Sequence, residues 1–241
     1  MKLKIATINI QIGVGVTKGY WEYLTSFWKY LLPHSNKHIK NIIKFIKSED
    51  IDILGLTEVE GISLRSNWKN QYGEISDSSN LSKNKFFQTY KFGKFVNMGN
   101  AFLSKYNLTF PKKYSLPGKG EPRYLCETTI NFKETNLKVF ITHLGLNKME
   151  RQKQILKIKE IIKNTPDPKI LLGDFNSNSN HINFLDVGLT SVDKHNTYPS
   201  WKAKKSLDRI FYSGKIKLIK TYTTSPIKFS DHLPLIAEFE V

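Results

Sequence analysis

Six apolar segments of this sequence adjoin polar side chains that have the right types for hydrolytic chemistry. These side chains are Asn9, Glu58, His143, Asp174 with Asn176, Asp208, and the pair Asp231 and His232. The apolar segments are short, as buried strands are. In α/β sheets, ligand-binding groups gather at strand ends, where rigid strands hold loop residues in place. The pattern therefore predicts that distant parts of the chain bring these groups into one pocket.

The oxygen-bearing members of this set predict a site for a hard divalent cation. Carboxylate and amide oxygens come from Glu58, Asp174, Asn176 and Asp231. Such ligands suit Mg²⁺, with Mn²⁺ as a substitute, and they do not suit zinc. A single cysteine, Cys126, excludes a zinc ribbon or an iron–sulfur cluster. We therefore expect Mg²⁺ as the cofactor.

The histidines supply groups that exchange protons near neutral pH. An aspartate beside a histidine holds the tautomer of the ring and favours the imidazolium form. Nearby lysines would attract a phosphate group. A metal, a histidine paired with an acid and a basic field together indicate hydrolysis of a phosphate ester.

The elements that must position these groups alternate between strands and amphipathic helices. Helical spacing covers Tyr20–Leu32, a segment with Ile39, Ile42, Ile43 and Ile46, and Lys148–Lys163. Strands are predicted at Leu3–Ile10, Ile51–Thr57, Phe86–Phe92, Asn100–Ser104, Leu125–Phe132, Leu137–Thr142, Lys169–Gly173, Leu207–Tyr212, Lys217–Thr223 and Leu235–Val241. A loop is predicted around Pro111, Pro117, Gly118 and Gly120. No linker or low-complexity tract interrupts the series, so we expect one domain over residues 1–241.

Composition narrows the class of protein. With 39% hydrophobic and 24% charged residues among 241, the chain is not a disordered tail. A single cysteine excludes a disulfide-stabilised scaffold. No segment approaches the roughly 20 apolar residues that are needed to cross a bilayer. The N-terminal residues do not show the pattern of a secretory signal peptide. We therefore expect a soluble, cytoplasmic protein, and we expect a monomer.

The charge balance bears on the partner. Lys and Arg number 37 and Asp and Glu number 21, which gives a formal net charge of +16. Only four of the basic residues are arginines, and lysine, as a hydrated point charge, suits contact with a polyanion. Nucleic acid or an anionic membrane would be attracted to such a surface. The alternative is that a Lys-, Asn- and Ile-rich composition reflects genomic base bias and solubility.

Seven short motifs occur in a characteristic order along the chain. They are Thr7-Ile8-Asn9, Leu56-Thr57-Glu58, Gly99-Asn100-Ala101-Phe102-Leu103-Ser104, Thr142-His143-Leu144, Gly173-Asp174-Phe175-Asn176, Leu207-Asp208-Arg209-Ile210 and Ser230-Asp231-His232-Leu233-Pro234. Each alone has a plain structural explanation, such as an Asx turn. In this order they resemble the endonuclease/exonuclease/phosphatase superfamily, from Ile5 to Val241. The resemblance implies an α/β (α+β) fold, a four-layer α-β-β-α sandwich with two packed mixed sheets flanked by helices. It also implies a metal-dependent hydrolase that attacks phosphorus with water.

The resemblance also implies roles for single residues. Glu58 is similar to the metal-ligating glutamate of the superfamily, with Asn9 and Asp231 in or near the metal shell. Asp174 and Asn176 resemble the pair that orients the water and the phosphate oxygens.

Two histidines carry further roles by resemblance. His232 matches the catalytic histidine, with Asp208 as its carboxylate partner. His143 matches the second histidine of the deoxyribonuclease and sphingomyelinase branches. Substrate contacts are expected from Asn9, Asn100, Arg123 and Trp201.

The sequence departs from the superfamily pattern at two points. Gln11 stands where several relatives carry an aspartate, so the number of metals is open. The carboxylate partner of His143 is not readable, and Glu121 and Glu127 are the two candidates, with neither preferred.

Two alternatives stay open at this stage. The substrate is predicted to be nucleic acid, cleaved by a nuclease or phosphodiesterase, and the alternative is a phospholipid, an inositol phosphate or another small phosphoester. The aromatic stretch Tyr20–Leu32 is predicted to pack on the sandwich, and the alternative is an exposed surface for a membrane or for stacked bases.

Overall fold

A computed structural model describes residues 2–33, 37–132, 135–166, 168–179, 182–224 and 228–241. Within these ranges the elements are, in chain order, β1 (Lys2–Asn9), α1 (Trp21–Thr25), α2 (Lys37–Glu49), β2 (Ile53–Glu60), α3 (Gln71–Ser78), β3 (Lys83–Phe92), β4 (Val96–Ser104), β5 (Leu108–Leu116), β6 (Arg123–Phe132), β7 (Thr135–His143), α4 (Lys148–Lys163), β8 (Lys169–Asp174), β9 (Leu189–Ser191), β10 (Asp208–Ser213), β11 (Lys217–Thr223) and β12 (Leu235–Glu240). None of the helices in these ranges is long and apolar enough to cross a bilayer.

The strands of the described ranges form two mixed sheets of six strands each. The first sheet has the order β11-β12-β1-β2-β4-β3, and the second has the order β5-β6-β7-β8-β10-β9. Residues from both sheets, among them Ile5, Phe102, Ile141 and Leu172, form one buried cluster between them. The two sheets therefore pack face to face through their apolar sides.

Helices cover the outer faces of both sheets. Ile39, Ile42 and Ile46 of α2 are buried against the outer face of the first sheet, together with Ile75 of α3. On the other side, Ile158 of α4 and its neighbours are buried against the second sheet. These four layers confirm the predicted α-β-β-α sandwich.

Strand register brings the predicted strand-end residues to a common edge. In the first sheet, β1 and β2 are parallel, with Asn9 opposite Thr57. In the second, the parallel strands β7 and β8 place His143 opposite Asp174, and antiparallel β10 places Asp208 opposite the same Asp174. Each sheet thus delivers its polar side chains at one end.

Four elements differ from the sequence prediction, and one of them is the short strand β9, which was not predicted. β5 runs through Pro111, which was predicted to lie in a loop; β5 is an edge strand whose register shifts between Thr109 and Lys112, and both features accommodate proline. Helix α3 was not predicted, because Gly73 and its polar residues give little helical signal. The predicted helix Tyr20–Leu32 is instead a short α1 followed by a 3-10 helix at Phe27–Tyr30, and neither contains a buried residue.

Candidate active site

The strand ends of the two sheets line one open cavity of about 480 Å³. Its lining residues are Asn9, Glu58, Glu121, Arg123, His143, Leu146, Asp174, Asn176, Tyr198, Lys205, Leu207, Asp231 and His232. Three carboxylates from the predicted set are among them, together with both predicted histidines. Polar groups from distant chain segments therefore meet in one place, as the motif spacing predicts.

Glu58 reaches the cavity because β2 is irregular at this point. The pairing of β2 with β4 shifts between Leu56 and Val59, and Glu58 has a φ of +51°. A bulge of this kind redirects a side chain that regular alternation would send elsewhere. A left-handed conformation is uncommon for a residue other than glycine, and such strain is characteristic of functional positions.

Asn9 connects the two halves of the cavity. Its Nδ2 donates to Glu58 Oε1 at 3.0 Å and to Asp174 Oδ2 at 3.2 Å. Its Oδ1 accepts the backbone N–H of Gln11 at 2.9 Å, which fixes the orientation of the amide. Because Glu58 belongs to the first sheet and Asp174 to the second, this single amide bridges the sandwich.

The carboxylates of the cavity repel one another. Burial raises the pKa of Glu58 to about 7; the hydrogen bond from Asn9 opposes this change, and the charges of Asp231 and Asp174 add to it. A cation placed among these oxygens would relieve both the burial cost and the repulsion. The donor set therefore fits a hard divalent ion.

In the described part of the chain, no group of three or more His, Cys, Asp or Glu side chains is arranged to hold a metal on its own. Mg²⁺ does not require such a group, because it binds through one or two carboxylates and fills its remaining positions with water and substrate oxygens. Glu58 and Asp231 both line the cavity.

Asp231 is held by two hydroxyl groups. Ser230 Oγ donates to Oδ1 at 3.1 Å, and Tyr23 Oη donates to Oδ2 at 2.5 Å. Each carboxylate oxygen keeps a second lone pair for another partner. Tyr23 lies on α1, so the exposed aromatic segment is attached directly to this acidic side chain.

His232 and Asp208 form a buried pair. Nδ1 of His232 lies 2.7 Å from Asp208 Oδ2, and both side chains are nearly inaccessible to solvent. Burial alone would lower the pKa of His232, but the charge and hydrogen bond of Asp208, with further help from Asp174 and Asp231, raise it to about 10. Asp208 lies behind the ring and outside the cavity lining, so His232 presents a cationic Nε2–H at neutral pH.

His143 has the opposite character. Arg123 Nη1 lies 3.0 Å from Nδ1, and Asn176 Nδ2 lies 3.0 Å from Nε2. A guanidinium nitrogen and an amide nitrogen can only donate, so each contact favours an unprotonated ring nitrogen, and the two contacts together oppose the imidazolium form. Burial, and then the charge of Arg123, lower the pKa of His143 to about 3, while Asp174 opposes the change. His143 is therefore a neutral imidazole.

Arg123 takes the place that a carboxylate partner of His143 would occupy. Arg123 Nη2 donates to Glu121 Oε2 at 3.1 Å, so the carboxylate of Glu121 contacts Arg123 and not His143 itself. Glu127 lies elsewhere, bonded to Tyr114 and Lys138.

The turn after β8 shapes the floor of the cavity. Gly173 has a φ of +134°, and a Cβ there would lie 2.0 Å from the carbonyl oxygen of Thr142. Asn176 donates its backbone N–H to Asp174 Oδ1 at 2.8 Å and its side-chain amide to the carbonyl of Leu144 at 2.8 Å. Asp174 is thus oriented from two sides, by Asn176 and by Asn9.

Two predicted substrate-binding residues do not line the main cavity. Asn100 is buried on β4 and borders a small separate space of about 10 Å³ behind Arg123 and His143. Trp201 packs edge-on against Tyr20, with ring centroids 5.2 Å apart. Gln11 also turns away, since its amide donates to the hydroxyl of Tyr30 at 2.6 Å.

Sequence reasoning missed three residues at this site, namely Tyr23, Tyr198 and Lys205. The Tyr198 ring lies against His232, with centroids 5.0 Å apart, and Lys205 Nζ lies 5.9 Å from the Tyr198 ring. Tyr198 lies three positions before Trp201, which the sequence analysis names as a substrate contact, so a signal was present for it. The sequence offers no comparable signal for Tyr23, because its role depends on how α1 packs.

The sequence matches one family model over nearly its whole length. The description is Endonuclease/Exonuclease/phosphatase family, and the match spans residues 6–232. The chain belongs to this family. Members of the endonuclease/exonuclease/phosphatase family are phosphoester hydrolases that generally use divalent metals, so this protein is an enzyme of that class. A comparison with curated proteins finds no match.

Solved structures of the same family share the fold. An endonuclease/exonuclease/phosphatase protein from Beutenbergia cavernae is 16% identical, with a TM-score of 0.76 and coverage of 100% of this chain and 72% of that one. D. rerio TDP2 in complex with a single-strand DNA product is 17% identical, with a TM-score of 0.72 and coverage of 100% and 99%. A mannosyl-6-phosphatase from Bacteroides thetaiotaomicron is 17% identical, with a TM-score of 0.69 and coverage of 99% and 100%.

Proposed function

We propose that this protein is a Mg²⁺-dependent phosphoester hydrolase whose cavity directs a water molecule at phosphorus. The observation that carries the proposal is the meeting of Glu58, Asp231 and Asp174 with the His232–Asp208 pair in one cavity. This chemistry requires three groups: acidic oxygens that bind a cation, a cationic donor that contacts a phosphate, and an oriented carboxylate that contacts water.

The metal end consists of Glu58, Asp231 and Asn9. These residues would hold Mg²⁺, and the cation would supply positive charge to stabilise a pentavalent phosphorus transition state. Asn9 orients Glu58 through its hydrogen bond, and the hydroxyls of Ser230 and Tyr23 orient Asp231.

The water end consists of Asp174 and Asn176. Asn9 Nδ2 donates to Asp174 Oδ2 at 3.2 Å, and the backbone N–H of Asn176 donates to Asp174 Oδ1 at 2.8 Å. The remaining lone pairs of the carboxylate can accept a proton from water. His232, cationic through its contact with Asp208, donates Nε2–H to a phosphate oxygen. His143, a neutral imidazole, lines the same cavity and adds a hydrogen-bonding group beside the phosphate or leaving-group oxygen. Lys205 adds positive charge at the same cavity.

Two substitutions test these roles. His232→Ala and Asp174→Asn should each lower the rate of bis(p-nitrophenyl) phosphate hydrolysis by a factor of about 10²–10³ or more. EDTA should abolish the activity and Mg²⁺ should restore it. Asp186→Asn, a surface acid paired with Lys159, is the matched control and should keep the wild-type rate. Near-normal turnover in either site variant would remove the assignment.

Two observations favour nucleic acid as the substrate. The net charge is +16, and a protein of the same fold, TDP2, has been solved with a DNA product. Mg²⁺-dependent nicking of plasmid DNA, falling steeply with added salt as phosphate contacts are lost, tests this candidate.

A smaller or lipid-borne phosphoester is the second candidate. The mannosyl-6-phosphatase of the same fold acts on a small phosphate ester by its name, and an exposed apolar segment beside the cavity favours a lipid. A substrate panel that includes plasmid, sugar phosphates and vesicles, each with Mg²⁺ and with EDTA, separates these candidates.

A further inference from the structure

Seven large apolar side chains project into solvent from residues 20–32. They are Tyr20, Trp21, Leu24, Phe27, Trp28, Leu31 and Leu32, with exposed fractions between 47% and 80%. We call these seven side chains the apolar surface. Monomeric proteins seldom expose contiguous apolar side chains of this size unless the patch meets a partner or a membrane.

The polar atoms of the same segment face the protein. Tyr23 Oη donates to Asp231 at 2.5 Å, Tyr30 Oη accepts from Gln11 at 2.6 Å, and Lys29 Nζ donates to the carbonyl of Val14 at 3.3 Å. A surface helix of a soluble protein has the reverse arrangement, with its apolar stripe inward. Specific hydrogen bonds therefore hold this segment with its apolar side outward.

The apolar surface begins at the rim of the cavity. The rings of Tyr20 and Trp201 pack edge to face, with centroids 5.2 Å apart, and the hydroxyl oxygens of Tyr23 and Tyr198 lie 3.3 Å apart. Tyr198 and Asp231, which Tyr23 contacts, both line the cavity. An assembly that covers the apolar surface would therefore lie next to the reacting groups.

Exposed lysines flank the apolar surface along the chain and occur on the loop that carries Trp201. Lys18 and Lys37 are exposed on either side of it along the chain, and Lys202 and Lys204 are exposed on the loop that carries Trp201. The acidic residue within the segment, Glu22, accepts the backbone N–H groups of Thr17 and Lys18 at 2.6 and 2.7 Å. The apolar surface therefore suits an anionic partner.

Three kinds of partner can be compared. Bases stack on aromatic rings, and Leu24, Leu31 and Leu32 have no ring to offer. A second copy of the chain would bring together two like charges of +16. An anionic bilayer can contact every residue type of the apolar surface and the lysines beside it. Trp and Tyr lie at a bilayer interface, leucines enter the boundary of the acyl chains, and lysines contact lipid phosphates.

We propose that the apolar surface inserts into the boundary between headgroups and acyl chains of an anionic phospholipid bilayer, so that the cavity acts on a phosphoester in a lipid headgroup. The substrate part of this inference rests on the proposed function, and the docking part does not.

The test uses the full chain with Trp21→Ser and Leu24→Ser combined, and Phe27→Ser with Leu31→Ser as an independent second pair. Leu156→Ser with Leu185→Ser is the matched control, since those side chains are as exposed but lie on α4 and in the 3-10 helix Leu185–Val187. Binding is measured by co-sedimentation with vesicles of phosphatidylcholine alone and with vesicles that also contain phosphatidylglycerol, phosphatidic acid or a phosphoinositide. Hydrolysis of each vesicle lipid and of soluble bis(p-nitrophenyl) phosphate is measured in parallel.

We expect binding to the anionic vesicles, reduced by about tenfold or more in both test pairs and unchanged in the control. Lipid hydrolysis should fall with binding, while hydrolysis of the soluble ester stays at the wild-type rate. Absence of vesicle binding overturns the inference, as does a loss confined to DNA binding or to self-association in the test pairs. Vesicle binding without hydrolysis of any of these lipids overturns the substrate part. Absence of hydrolysis of both the soluble ester and every vesicle lipid in the wild type overturns the proposed function and leaves the docking result standing.

Discussion

His143 and His232 line the same cavity and have opposite protonation preferences. Asp208 stabilises the charged form of His232, and Arg123 stabilises the neutral form of His143. A buried ring takes its charge state from its nearest charged neighbour, so two identical side chains acquire different roles. The residue type alone does not distinguish them.

Replacing Arg123 by Gln should raise the pKa of His143. Burial would still hold that pKa below the ordinary value, but the positive charge that also opposes protonation would be gone. NMR titration of the imidazole in metal-free protein measures the change. Glu121→Gln leaves the contact between Arg123 and His143 in place and should produce no rise, so equal pKa values in wild type and Arg123→Gln would contradict the assignment.

The Asp208–His232 pair should make stability depend on pH. The pKa of His232 is raised in the folded state, so the contribution of the pair is fully present below the unfolded value of about 6.5 and is lost as pH rises through about 10. Asp208→Asn should therefore lower the free energy of unfolding by about 1.5–3 kcal/mol in acid, with a difference that shrinks toward pH 10. Urea unfolding of both proteins across this range is the measurement, and a pH-independent difference would contradict the linkage.

At the scale of elements, backbone irregularity places the two central acids. Glu58 reaches the cavity through a bulge in β2, and Asp174 follows a glycine with a φ of +134°. Regular strands would not present these side chains in this way, so local strain is part of the design of the site.

Gly173→Ala should be strongly destabilising. The added Cβ would lie 2.0 Å from a backbone carbonyl oxygen, which cannot move without disturbing β7, and the backbone conformation is itself unfavourable for alanine. We expect a loss of about 2 kcal/mol or more in the free energy of unfolding. Gly214→Ala meets no atom within 4 Å and should change stability by less than about 0.5 kcal/mol. Similar losses in the two variants would show that the contact with Thr142 is unimportant.

Element positions were largely predictable where apolar periodicity was strong. Helix α4 begins and ends at the predicted residues, and β11 does the same. The periodicity of Tyr20–Leu32 was equally clear, yet its apolar side faces solvent, because a pattern shows that one side is apolar without showing what covers it. The partner of His143 was not predictable, since Arg123 comes close only through the pairing of β6 with β7.

For the molecule as a whole, the acidic cavity predicts coupling between metal and stability. Glu58→Gln should stabilise metal-free protein near and above pH 7, because burial disfavours the charged carboxylate and its neighbours repel it. Mg²⁺ at about a hundredfold excess over its dissociation constant should stabilise the wild type by about 2.7 kcal/mol and the variant much less.

Calorimetry with Mg²⁺ and with EDTA measures both effects. Glu160→Gln, an exposed acid paired with Lys157 on α4, serves as the control and should respond to Mg²⁺ as the wild type does. An equal Mg²⁺ response in Glu58→Gln would argue that the cation binds elsewhere.

The bridge that Asn9 makes between Glu58 and Asp174 has a consequence for folding. In the proposed mechanism, one sheet carries the groups for the cation, and the other carries the groups for the water. A partly folded chain with only one sheet complete would therefore hold half of the reaction machinery and would be inert. Loss of activity in denaturant should accordingly coincide with separation of the two sheets, so that enzymatic turnover reports on whether the sandwich is intact.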